Sequence, residues 1–206
     1  EWKDHKINFI DTPGYFDYAQ EQEAGMAVAD NALIVVSAKD GIQTGTIRAW
    51  KSVSKKKLPT IFFINKIDEE NTSFDKVYAQ LRDQFGKSVI PFEMPIIENG
   101  KVIGSINILK NKAWYLTDRN NAKDVPDNLK AKAEEYLNMI TEAVAETSDE
   151  LLEKFFSGDP LTETEIIQGV RAGVRSGEIR PVYCGSATQQ IGVERLLDPV
   201  SYTHLA

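Results

Sequence analysis

Apolar residues along this chain form short, nearly continuous runs that are separated by longer amphipathic stretches. Four runs have the length of a strand and are rich in β-branched and aromatic residues, which favour extended structure. They are Lys6–Ile10, Leu33–Ser37, Thr60–Asn65 and Pro181–Gly185. Runs without alternation are typical of strands that are covered on both faces of a parallel sheet. We therefore predict one parallel sheet built from these four strands.

Helical patterns fill the intervals between the predicted strands. They cover about Tyr18–Asp30, Thr44–Lys56, Ser73–Phe85 and Gly192–Leu197. Strand alternating with helix predicts a doubly wound α/β layer with right-handed crossovers. Ligands of such sheets bind at the carboxyl ends of the strands. The residues directly after each predicted strand are therefore the first candidates for a binding site.

The alternation breaks between Gly86 and Gly177, where a different pattern begins. Ile90–Ile97 and Lys101–Leu109 read as two strands, because the Asn99-Gly100 pair between them is a strong hairpin signal. This region predicts an α+β subdomain inserted into the α/β layer over residues 89–176.

Three helices are predicted in the second half of this insertion. One apolar stripe marks a helix over about residues 126–146. Two further helices are predicted to open with capping boxes, one formed by Thr147 and Glu150 and one by Thr162 and Glu165.

Composition and charge narrow the class of protein. A net charge of −7 argues against binding nucleic acid over the whole surface. No apolar run reaches the roughly 18 residues of a membrane span, and the first residues lack the basic and apolar regions of a signal peptide. The single cysteine, Cys184, excludes an intrachain disulfide and suits a reducing compartment. We expect a cytoplasmic protein with no membrane partner.

The first candidate motif, Asp11-Thr12-Pro13-Gly14, follows the first predicted strand. P-loop proteins keep a carboxylate near the Mg²⁺ that bridges the β- and γ-phosphates, so Asp11 is the candidate metal residue, acting through a water. Gly14 lacks a Cβ, which lets its backbone N–H approach a phosphate closely. An ordinary Pro-Gly turn would leave the same signature, and this motif alone does not decide between them.

The second motif, Asn65-Lys66-Ile67-Asp68, follows the third predicted strand and predicts a guanine site. Guanine presents two adjacent donors, which one carboxylate such as Asp68 can accept together, whereas adenine presents an acceptor there. A hydrogen bond to a charged group contributes about 1.5–3 kcal/mol, so the discrimination is strong. Asn65 can bond the N7 side of the base, and the stem of Lys66 can lie along the purine face.

A third segment, Gly185-Ser186-Ala187, follows the last predicted strand. There the backbone N–H of Ala187 could donate to guanine O6, although a plain Gly-Ser turn explains the residues equally well. With all three segments in order after predicted strands, we predict a site for GTP or GDP. The phosphate-loop pattern G-x-x-x-x-G-K-[ST] does not occur in the 206 residues.

With these residues the chain resembles the translational GTPases, most closely the elongation factor G group and its paralogues. The resemblance runs from about Ile7 to Asp198 and includes the stretch Ala38–Gly45. The inserted block resembles the G-prime subdomain of that group, notably over residues 148–163. It implies a partial GTP-binding domain at 1–88 and 177–200, a G-prime-like subdomain at 89–176 and a tail at 201–206 outside the family pattern.

The resemblance also implies a function. It implies GTP or GDP and Mg²⁺ as cofactors, bound by Asp11, Thr12, Pro13, Gly14, Asn65, Lys66, Asp68, Ser186 and Ala187. It further implies a monomeric cytoplasmic GTPase of translation elongation, stimulated by the ribosome through rRNA and stalk proteins. We expect the insertion to serve partner contact and to be dispensable for guanine binding.

One residue departs from the pattern and keeps alternatives open. Tyr15 stands where these proteins usually place the histidine that positions the attacking water, so it is the candidate catalytic residue and a poor substitute for imidazole. One alternative is a ribosome-associated module that senses GTP without hydrolysing it. Another is a GTPase of the ribosomal-protection or release-factor type.

The resemblance places the first strand, the phosphate loop and switch I before Glu1, so we expect this chain to be a piece of a larger GTPase. Alone, it should bind GTP weakly and be catalytically inactive. Pro199 should end a helix, and the residues after it do not continue as the family does.

Overall fold

Two β-sheets organise the chain in a computed structural model that describes Trp2 and residues 6–197, with Phe16 described by its backbone alone. The parallel sheet has the order β1 (Ala32–Ser37), β2 (Thr60–Asn65), β8 (Arg180–Cys184), β3 (Val89–Pro91). The antiparallel sheet has the order β4 (Glu93–Glu98), β5 (Lys101–Asn107), β6 (Lys112–Tyr115), β7 (Asp118–Lys123). The predictions for Pro199 and the tail at 201–206 lie outside the described residues.

Helices connect the strands. They are α1 (Ala19–Val28), α2 (Thr44–Lys56), α3 (Phe74–Phe85), α4 (Asp127–Ala145), α5 (Asp149–Phe156) and α6 (Glu163–Ser176). A 3₁₀ turn, Phe16–Tyr18, precedes α1, and residues 193–197 are also helical. The α/β alternation and the inserted α+β subdomain are therefore confirmed as the fold class.

The centre of the parallel sheet explains its continuous apolar runs. Phe62 and Ile64 of β2 are fully buried. Trp50 of α2 and Phe85 of α3 pack against Phe62, with ring centroids 5.8 and 5.5 Å from it and 4.7 Å from each other. Burial of large aromatic side chains contributes strongly to the stability of a core. Three of the four predicted strands are confirmed here as β1, β2 and β8.

The fourth predicted strand, Lys6–Ile10, was wrong. Residues 6–10 lie outside every described strand, and Phe9 and Ile10 are 70% and 53% exposed. Strand preference reflects packing on a pleated surface more than the backbone itself, so an apolar run that packs on no sheet does not become a strand. The fourth member of the parallel sheet is β3, which pairs with β8 at one edge.

Among the described strands, β1 forms the opposite edge of the parallel sheet. Its side chains alternate in burial: Ile34 and Val36 are buried, whereas Leu33 and Val35 are 41% and 53% exposed. One face of this edge strand therefore belongs to the core, and its other face presents branched apolar side chains to solvent.

The predicted strand Ile90–Ile97 is divided in two. Phe92 stands at the division, because its N–H donates to Val182 O of β8 (2.9 Å) and its carbonyl accepts from Ile108 N beyond β5 (3.0 Å). The residues before it form β3, and those after it form β4 of the antiparallel sheet. The hairpin at Asn99-Gly100 is confirmed, with φ of 50° and 75° at the two residues.

The insertion also contains elements that no pattern predicted. β7 consists almost entirely of exposed polar residues, so periodicity gives no signal for it.

The capping box at Thr162 and Glu165 is confirmed at the start of α6. The one predicted at Thr147 was wrong: Ser148 caps α5 by accepting from Leu151 N, while the Thr147 hydroxyl donates to Val144 O. Ser148, which follows Thr147, is therefore the residue at the N-cap position of α5.

Candidate nucleotide-binding site

The loops that follow β2 and β8 lie side by side. In the parallel register Ile64 pairs with Cys184, so both strands end at the same level. The Gly185 N–H donates to Ile64 O (3.0 Å), and the Ile67 N–H donates to Gly185 O (3.2 Å). We predict from the sequence that Asp11, Asn65 and Gly185 lie at one edge of the sheet, and this is confirmed for Asn65 and Gly185. Asp11 follows no described strand.

Asn65 joins the two loops through its side chain. Its Oδ1 accepts from Lys66 N (2.8 Å) and from Ala187 N (2.9 Å). Two backbone donors fix the carbonyl oxygen, so the Nδ2 amide is the group that Asn65 can offer to an acceptor such as purine N7. The N–H of Ala187 already bonds Asn65, so any bond to guanine O6 would be shared with that contact.

The turn after Asn65 is braced from within. Lys66 has φ 64°, and the Thr72 hydroxyl donates to the carbonyls of Ile67 (3.2 Å) and Glu69 (3.0 Å). The side chain of Ile67 is buried and anchors the turn in the core. Asp68, by contrast, is exposed. Its carboxylate therefore stands on a firm turn and is open to a ligand.

The loop after β8 is closed by its own hydrogen bonds. Ser186 and Ile191 exchange two backbone hydrogen bonds (3.0 and 2.8 Å), and Ser186 Oγ accepts from Gln189 N (3.2 Å). A Cβ on Gly185 would lie 2.0 Å from Ile191 O, so only glycine fits there. The Ser186 side chain stabilises this turn, and its part in nucleotide binding stays a prediction.

The first motif lies against α1 and the start of α2. Pro13 O accepts from Gln22 Nε2 of α1 (2.7 Å), and Thr12 packs close to Gly25 of the same helix. These contacts run to helices, not to the loops after β2 and β8. Asp11 and Tyr15 are exposed, the latter by 79%. Their roles in metal binding and catalysis remain predictions.

Gly14 has no structural need to be glycine within the described part of the chain. It is not among the residues with positive φ, and a Cβ built on it would meet no described atom within 4 Å. The space beside its backbone is therefore open, as a close-approaching ligand would require.

Within the described residues, no three histidine, cysteine or acidic side chains are grouped as metal ligands. The role of Asp11 toward Mg²⁺, an ion that binds phosphates together with one or two carboxylates, stays a prediction. No described helix is long and apolar enough to cross a membrane.

Sequence reasoning missed the contacts that connect the insertion to this site. Arg119 of β7 donates to the loop after β8, and Arg195 reaches Glu93 at the start of β4. The partners are separated by at least 70 residues along the chain, so no local pattern could have found them.

Comparison with known proteins agrees with this geometry. The family model described as "Elongation factor Tu GTP binding domain" matches residues 1–204. A crystal structure of a protein from Thermus thermophilus is similar with a TM-score of 0.86 and 31% identity, covering 95% of this chain. The chain spans 29% of the length of that protein.

Proposed function

Because the chain belongs to the family of elongation factor Tu GTP-binding domains, and so to the translational GTPases of the elongation factor G and Tu type, we propose that it supplies guanine recognition to a ribosome-dependent GTPase of the elongation factor G type. The insertion supports this more specific assignment. We take its function to be in translation elongation.

The observation that carries the proposal is the joining of the loops after β2 and β8 by Asn65. In this arrangement the exposed carboxylate of Asp68 accepts the two adjacent guanine donors, and the Asn65 amide donates to N7. Lys66 covers one face of the base with its stem. Adenine would place an acceptor against Asp68, and the site would reject it.

The first motif would face the phosphates. We propose that the backbone of Gly14 approaches the γ-phosphate, and that Asp11 holds a water of the Mg²⁺ shell. The open space beside Gly14 supports this role. When bound, Mg²⁺ neutralises charge that develops on the phosphates.

Partner contact through the insertion has a physical basis in α5. Phe156 is 78% exposed and Phe155 is 38% exposed, and their ring centroids lie 6.1 Å apart. Exposed large apolar side chains that lie together mark protein contact sites. We propose that this surface contacts ribosomal stalk proteins.

A non-hydrolysing GTP sensor is the second candidate, and Tyr15 favours it. A neutral phenol can orient a water but is a poor proton acceptor near neutral pH, unlike imidazole. Single-turnover GTP hydrolysis by the full-length product of the gene, measured with and without ribosomes, separates the two candidates. Stimulation by ribosomes supports the GTPase, and GTP binding without turnover supports the sensor.

Guanine recognition is tested with Asp68→Asn in the full-length product. Loss of two hydrogen bonds to a charged acceptor should weaken GDP binding by about 10²- to 10⁴-fold. Xanthosine diphosphate, which has an acceptor where guanine has its amino group, should bind the variant better than GDP does. Affinities are measured with fluorescent nucleotide analogues and competition.

Glu70→Gln is the matched control, since it removes the same charge from an exposed neighbour outside the motif. It should bind GDP as the unmodified protein does. Equal GDP affinity in the Asp68→Asn variant would refute the proposed role of this loop.

A further inference from the structure

Arg119 connects the inserted subdomain to the loop that carries Ala187. Its Nη1 donates to Gln190 O and its Nη2 donates to Gln189 O, both at 3.4 Å. Arg119 belongs to β7 of the antiparallel sheet, and the two carbonyls belong to the turn after β8. One cationic side chain of the insertion thus binds two successive carbonyl groups of the turn after β8.

An ion pair with a buried carboxylate holds the helical residues 193–197, which directly follow the same loop. Glu93, the first residue of β4, is fully buried and pairs with Arg195 in the helical residues 193–197. Ser105 Oγ of β5 donates to the same carboxylate oxygen (2.6 Å). The Arg195 guanidinium also lies over the Trp114 ring, 5.8 Å from its centroid.

Burial and hydrogen-bond geometry make the contact between Glu93 and Arg195 a structural constraint. Burial raises the pKa of Glu93, while Arg195 and Ser105 act in the opposite direction. Removing one partner of a buried pair leaves an uncompensated group, so the remaining side chain or its helix must move. The position of residues 193–197 is therefore tied to the antiparallel sheet.

Movement at these residues would reach Ala187 through the closed loop. The Leu196 N–H donates to Gly192 O (3.1 Å), and the Gln190 N–H donates to Ala187 O (3.3 Å). Ala187 in turn donates to Asn65 (2.9 Å). Hydrogen bonds thus lead from Arg119 through Gln190 and Ala187 to Asn65, whereas the helical residues 193–197 join this loop through the peptide backbone at Gly192.

We propose that Arg119 and the Glu93–Arg195 pair are positioning residues for guanine binding, through which the inserted subdomain holds the loop that carries Ala187. The inference rests on the proposed function of that loop. It replaces the expectation that the insertion is dispensable for guanine binding.

The test uses the full-length product and the rate of GDP release, measured with a fluorescent GDP analogue. Arg119→Ala should release GDP about 3- to 10-fold faster, as expected for long hydrogen bonds from a charged donor. A purely structural role would lower the fraction of folded protein and leave the release rate of the folded fraction unchanged. Arg119→Lys, which keeps the charge without the two-pronged geometry, should give an intermediate rate.

Lys123→Ala is the matched control, because Lys123 is another cation of β7, and its described partners, Asp118 and Tyr115, lie within the insertion. It should release GDP at the unmodified rate. The Asn65→Ala and Arg119→Ala substitutions should combine less than additively, since both act on the placement of Ala187.

The outcomes separate this inference from the proposed function. Failure of the unmodified protein to bind GDP would refute the proposed function, and this inference with it. GDP binding with an unchanged release rate in Arg119→Ala would refute the inference alone. Arg119 is exposed, so this variant tests the idea even where substitution of the buried pair prevents folding.

Discussion

Replacing Asn65 by alanine should remove both the acceptor that joins the two loops and the amide donor proposed to bind the base. The substitution removes the oxygen that accepts from Lys66 N at 2.8 Å and from Ala187 N at 2.9 Å. A net hydrogen bond contributes about 0.5–1.5 kcal/mol, and water can replace part of the loss because Asn65 is half-buried. We expect the free energy of unfolding to fall by about 1–2 kcal/mol.

This loss should be measurable by thermal unfolding of the 206-residue chain, followed by circular dichroism. A change of 1 kcal/mol shifts Tm by about 2–4 °C in a domain of this size, so the expected decrease is about 2–8 °C. Urea denaturation should show a lower midpoint with an unchanged slope.

Asn65→Asp is the informative control. Aspartate keeps an acceptor for both backbone N–H groups, so its stability should stay close to that of the unmodified chain. It lacks the amide donor, however, and should not restore GDP binding in the full-length product. If Asn65→Asp were as unstable as Asn65→Ala, the bridge would not act through its acceptor oxygen, and the reasoning would fail.

Two further predictions concern glycine and pH. Gly185→Ala should lower the free energy of unfolding by about 1–3 kcal/mol, because its Cβ would collide with Ile191 O. Gly14→Ala should leave stability unchanged, since the space there is open, and urea midpoints that did not distinguish these two variants would contradict the packing. Glu93 has a raised pKa, so its contribution is largest below the ordinary carboxyl pKa and is lost as pH rises through the raised value. Urea midpoints between about pH 4 and pH 8 should therefore favour the unmodified chain over Glu93→Gln most at low pH, and the opposite slope would refute this.

The sequence predicted the elements that are determined by residues near one another in the chain. It failed where the formation of a strand depends on which distant strand packs beside it. Thr60–Asn65 is buried along almost its whole length, so its uninterrupted apolar run identified β2 correctly. Lys6–Ile10 has the same pattern yet lies outside both of the described sheets. The run around Phe92 was interpreted as one strand, because nothing in its composition shows that the chain passes there from one sheet to the other.

The candidate site shows the same division between local and distant information. The chemistry of Asn65 and Asp68 could be predicted from guanine recognition, and parallel strand ends could be expected to meet. The bridge from Asn65 to Ala187 spans 122 residues, and the Glu93–Arg195 pair spans 102. Such pairs depend on strand register and on how the inserted subdomain packs against the parallel sheet. Neither property produces a periodic pattern in the sequence.

The edge strand β1 has a practical consequence for handling the isolated chain. An edge strand that presents branched apolar side chains, here Leu33 and Val35, offers a template for pairing with a second copy. The net charge of −7 opposes such encounters over distances set by the ionic strength. At about 0.15 M salt this repulsion extends only about 8 Å, and at about 0.01 M it extends about 30 Å. Buffer of low ionic strength should therefore keep the protein monodisperse at high protein concentration, whereas added salt should promote its precipitation.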